Sequence, residues 1–262
     1  MKKFVFVSLA FFSSYFSFAQ DTPAVSDTPM DTTVLNRTTP PPPPPTRQIA
    51  QMISARSKDH FLLQFGYTAW SGMPDSINTR GIPRSFNVYF MFDFPFRTSP
   101  KLSAAIGAGV STNNMYFEKT YVDISGRLAN RLGFVNVSDT NYFKKFKLLT
   151  TYLEVPVEFR YTANPETPNR SLKAAIGVKI GTLVSASTKG KNLLNKAGQN
   201  VNAFTQKEKS RRYFNTTRFS ATARLGYGVW SLFGTYQLNS FIKEGFGPDV
   251  RPITVGLTLS GL

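Results

Sequence analysis

Glu154 and Glu158 stand four residues apart in "YLEVPVEFRY" (152–161), with Arg160 just beyond them. A carboxylate pair can serve as general acid and base, or as acid and nucleophile, when its members flank one bond about 5–9.5 Å apart. On an extended chain this spacing puts both on one face but about 13 Å apart. The pair therefore reads as structural charge pairing. His60 is the sole imidazole. A Ser-His-acid hydrolase needs it beside a serine and a carboxylate, and the neighbouring Asp59 would point to the opposite face of a strand. The reading is therefore of a protein that is not an enzyme. With no cysteine and one histidine, no disulfide, metal site or cofactor is expected either. Gly107, Gly109, Gly177 and Gly181 form no phosphate-loop motif; their alternation fits small residues relieving crowding on one face of strands.

The elements that carry these residues have a period of two. In residues 84–96, Phe86, Val88, Phe90, Phe92, Phe94 and Phe96 share one face, against Ser85, Asn87, Tyr89, Met91 and Asp93. The same alternation recurs after Phe61, Leu102, Leu149, Leu172, Phe219, Trp230 and Ile253, which makes eight strands. They run roughly ten to fourteen residues, against about five or six in ordinary soluble sheets. The connections, at roughly 71–83, 97–101, 116–146, 162–171, 186–214, 226–228 and 242–250, alternate long and short. Phe61, Phe96, Tyr161, Tyr227 and Trp230 collect at the short-connection ends, as aromatic belts do at a membrane boundary.

These patterns predict an all-β fold: an eight-stranded antiparallel transmembrane up-and-down β-barrel over residues 60–262, apolar outside and polar inside. Asp93, Glu154, Glu158, Arg160, Lys173, Lys179, Arg218 and Arg224 then face the lumen. An eight-stranded barrel is just wide enough for such side chains to fill it. Pro156 removes a ladder donor in a sheet without edges, so a local bulge or a water is expected there.

Residues 1–19, with Lys2 and Lys3 before a short apolar run and Ser17-Phe18-Ala19 at its end, read as a secretory signal peptide. Residues 20–59 read as a disordered proline-rich periplasmic linker. Its Pro40–Pro45 run forms a polyproline II rod of about 19 Å; the segment serves either as a spacer or as a docking site for a periplasmic or outer-membrane protein partner. Export turns the net charge of +16 away from nucleic acid and toward anionic surfaces. In the 186–214 connection, Lys189, Lys191, Lys196, Lys207, Lys209, Arg211 and Arg212 face only one acid, Glu208. The cluster reads either as an anionic-lipid contact, meeting the phosphates of lipopolysaccharide on the outer membrane, or as a solvated loop.

"YLEVPVEFRY", "LKAAIGVKIGTLVSASTKGK" and the ending "YQLNSFIKEGFGPDVRPITVGLTLSGL" resemble the PorT-type outer-membrane β-barrel family of the Bacteroidota, over roughly residues 60–262. The resemblance implies a bacterial outer-membrane location, with the N-terminal segment in the periplasm, and a structural or interaction role as an accessory of type IX protein secretion. It brings no catalytic motif. A small passive pore or transporter and a lipid-modifying outer-membrane enzyme are the alternative functions.

Overall fold

In the computed structural model, residues 60–75, 77–126 and 130–261 are described. The expected signal peptide and proline-rich linker lie outside them. Eleven strands follow in chain order: β1 (Phe61–Ser71), β2 (Arg84–Phe96), β3 (Ser99–Phe117), β4 (Thr120–Asp123), β5 (Gly133–Asn136), β6 (Tyr142–Thr162), β7 (Leu172–Leu194), β8 (Asn200–Lys209), β9 (Thr217–Tyr227), β10 (Trp230–Gln237) and β11 (Arg251–Ser260). Eight of them, in the order β6-β3-β2-β1-β11-β10-β9-β7, form an antiparallel sheet that the β6–β7 pairing closes into a barrel.

The wall follows the alternation. Phe90, Phe92 and Phe94 are exposed on the outside of β2, while Asn87, Tyr89 and Met91 are buried inside. On β6, Leu153, Val155, Val157, Phe159 and Tyr161 point out, and Tyr152, Glu154, Glu158 and Arg160 point in. From Tyr161 to Leu153 this outward run climbs about 20 Å along the axis at a tilt of about 40°, close to the ~25 Å apolar band of outer-membrane barrels. Phe96, Tyr161, Tyr227 and Trp230 are exposed near the short-turn end, where Trp230 pairs with Tyr227 and Phe96 lies 5.8 Å from Phe159.

Three details differ from the expected layout. Pro156 produces no bulge: β3–β6 pairing lapses between Ile106↔Val157 and Gly109↔Glu154 and resumes in the same register, while Pro156 stays opposite Lys179 in the β6–β7 ladder. The β6–β7 bulge falls instead where Tyr152 pairs with Leu183 and Thr151 with Ser185, leaving Val184 as the extra residue. It exchanges the two faces of β7, so Ala186 and Thr188 are buried beyond it. Finally, the long connections hold strand structure of their own. β3, β6 and β7 run on past the apolar band, β8 pairs onto β7, and β4 and β5 form a separate hairpin.

At the long-connection end the interior changes character. Phe117, Val122, Ile124, Phe146, Leu148, Phe214, Phe241 and Ile242 belong to one buried apolar core, with Trp70 and Phe134 packed against it. Aromatic rings bind the cap together, with Trp70 and Phe241 at 5.3 Å and Phe214 and Phe241 at 5.0 Å. Backbone hydrogen bonds from Leu132 N to Phe246 O (2.8 Å) and from Asn215 N to Phe241 O (3.0 Å) stitch the connections to one another.

Candidate functional site

The lumen of the barrel carries the predicted charge network in two layers. In the layer nearer the short turns, Glu158 Oε2 accepts from Arg160 Nε at 3.0 Å and from Arg224 Nη2 at 2.7 Å. Arg160 Nη1 also lies 3.7 Å from Asp93, which accepts the Ser103 hydroxyl at 2.8 Å. In the next layer, Glu154 accepts from the Tyr89 hydroxyl at 2.6 Å and pairs with Arg218 at 3.2 Å. The Arg218 guanidinium sits 5.1 Å from the centre of the Tyr152 ring.

Lys179 joins the two layers. Its register places it between Gly181, opposite Glu154, and Gly177, opposite Glu158. Its ammonium donates to Gln64 Oε1 at 3.1 Å and lies 3.3 Å from the Tyr89 hydroxyl. Lys173 lies half-buried at the mouth beside Asp93, Arg160 and Arg224.

The interior glycines are spacers for this network. A Cβ on Gly181 would sit 2.8 Å from Glu154 Cγ, and one on Gly109 would run into the Val88 carbonyl and the Tyr89 ring. Each carboxylate is held by a guanidinium, and Glu154 and Glu158 stay in separate layers, so the geometry braces the wall. Among the described residues, Arg160 Nη2 and Arg224 Nε have no hydrogen-bond acceptor. His60 is spent locally: Nδ1 lies 2.9 Å from the Met91 carbonyl and the ring stacks on Phe90 at 5.7 Å.

The predicted basic cluster is divided by the fold. Lys189, Lys191, Lys207 and Lys209 share the outer face of the β7–β8 hairpin. Lys196 lies away from them, paired with Asp139 at 2.9 Å. Arg211 donates to the Leu183 carbonyl at 3.1 Å, and Arg212 reaches Asn130 at 3.4 Å, over the cap. The face recruits three cations that sequence reasoning missed: Arg84 of β2 and Lys145 and Lys147 of β6. Nothing local marks these three; only the register brings them beside β7.

A polar, charge-braced interior under an apolar exterior band defines the class, a membrane-spanning β-barrel. The family model described as outer membrane protein beta-barrel domain matches residues 49–246, and the chain belongs to this family of outer-membrane proteins. Among solved structures, the attachment invasion locus protein Ail of Yersinia pestis, in complex with the heparin analogue sucrose octasulfate, is similar at 13% identity and a TM-score of 0.34, over 78% of this chain and 97% of that one. Comparison with curated proteins finds no match.

Proposed function

We propose that this protein is a structural and interaction component of the outer membrane, with the short turns and residues 20–59 in the periplasm and the long connections outside. The observation that carries this reading is the double closure of the barrel: salt-bridged side chains fill the membrane section, and an apolar core fills the section above it. A passive pore needs a continuous water path, and this packing opposes one. A Ser-His-acid lipid-modifying enzyme needs its imidazole beside a serine and a carboxylate, whereas the contacts recorded for His60 are the Met91 carbonyl and the rings of Phe90 and Phe92. We favour a non-catalytic role on these grounds.

Its partners are the anionic lipid of the outer leaflet, met by the basic outer face, and a periplasmic or outer-membrane protein engaged through residues 20–59. The resemblance to PorT-type barrels makes an accessory place in type IX secretion the finer form of this proposal; nucleic acid has no part in it. Mild-detergent purification of the tagged protein from native membranes, with mass spectrometry of what co-purifies, tests it. A stoichiometric protein partner that disappears on deletion of residues 20–58 is the expected result. A lone barrel under all conditions would overturn it.

A further inference from the structure

The basic face is built in rows, and the register makes them explicit. Across β3, β6, β7 and β8, Tyr116 pairs with Lys147, Lys147 with Lys189, and Lys189 with Lys207. One row further from the membrane, Lys145 pairs with Lys191. Nearer the membrane, Arg84 pairs with Asn114, and Lys209 with Ser187 in the row of Leu149. Like charges directly opposite on neighbouring strands destabilise a sheet, and here three lysines stand in line at about 4.8 Å strand spacing.

The shallow concavity is lined by Gly81, Ile82, Arg84, Tyr116 and lysines, with no carboxylate. Among the described residues these lysines make no ion pair, and Lys147 has only the Asn114 carbonyl oxygen, at 2.9 Å, as a hydrogen-bond acceptor. The rows begin four residues beyond Leu153, about 10 Å further along the axis, where an apolar band of ~25 Å gives way to headgroups. This arrangement costs stability in water and gains it against a plane of phosphates.

We infer that Lys147, Lys189 and Lys207, flanked by Lys145, Lys191 and Arg84, form a docking site for the phosphate groups of outer-leaflet lipopolysaccharide. The inference rests on the outward orientation proposed above, and it gives that contact a definite seat. Lipopolysaccharide molecules are ordinarily held together by divalent cations bridging their phosphates. On this face the lysine rows take the place of those cations. Lipid bound here is consequently retained when divalent cations are stripped away.

The test is the amount of lipopolysaccharide that stays with the full-length barrel, purified from native membranes, after a chelator wash. Wild type retains it, and Lys147→Gln, Lys189→Gln and Lys207→Gln combined release it, with retention falling about fivefold for each lysine removed. Lys196→Gln, at the ion pair with Asp139, serves as the control and retains lipid as wild type does. Heat-dependent gel mobility verifies that the triple variant is a folded barrel. If it is not, the charge-preserving Lys→Arg triple is compared with single Lys→Gln variants, and retention must follow charge. Unchanged retention in the folded triple variant overturns the proposal. So does loss of binding to a soluble sulphated polysaccharide with lipid retention intact, which would assign the face to an external polyanion. Neither result touches the protein-partner measurement, so the two proposals fail separately.

Discussion

Glu158 holds two guanidiniums, Arg160 and Arg224, in a part of the barrel where lipid lies outside and no bulk water can take over. Removing one member of a buried ionic cluster costs more than the cluster itself contributes, because the remaining charges are stranded. Glu158→Gln is therefore expected to destabilise the barrel by about 3–5 kcal/mol, read as a lowered urea midpoint in detergent. Adding Arg224→Met to Glu158→Gln should recover part of that loss, since one stranded cation goes. Lys173, half-buried at the mouth, should tolerate Gln with a far smaller shift. Equal losses for Glu158 and Lys173 would mean that the network does not brace the wall. The sequence shows which charges lie on the inner faces of apolar strands, but not that Tyr89 and Gln64 join them. It could not give the pairings, which depend on Gly177 and Gly181 lying directly opposite the two glutamates.

At the scale of elements, the cap is where the sequence was least informative. The eight wall strands announced themselves through alternation. Phe117, Phe146, Phe214 and Phe241 lie in or beside segments read as connections, and their common burial comes from contacts between distant parts of the chain. The Val184 bulge added to the difficulty by exchanging the faces of β7, so that a period of two carried straight through would put Ala186 outside. The lysine rows were hidden for the same reason, because their meaning is in the register. The cap and the wall are held by different forces, hydrophobic burial in one and salt bridges with a closed backbone ladder in the other. They should therefore yield separately. Phe241→Ala, which removes a ring packed on both Trp70 and Phe214, is expected to cost the cap about 3–5 kcal/mol. Hydrogen exchange should quicken at Ile242, Phe214 and Leu132 while the amides of β2 and β6 stay protected. Equal acceleration in the wall strands would show cap and wall to be one cooperative unit.

At the scale of the whole barrel, the interior is matched to what surrounds it. Where the outside is hydrocarbon, the hydrophobic effect gives little reason to bury apolar side chains, so paired charges, hydroxyls and amides dominate the lumen around one small cluster of Leu62, Tyr89, Met91 and Ala105. Where the outside is water, that effect returns and the interior becomes aromatic and aliphatic. Each section closes the barrel in its own way, and on the function proposed here a lumen closed in both is not a conduit. The most direct test of that claim is single-channel recording of the purified full-length protein in a planar bilayer. A silent membrane is expected at moderate voltage, for wild type and for Phe241→Ala alike, since opening the cap leaves the charged layers beneath it in place. Steady, ohmic ion conductance from the wild-type protein would contradict it.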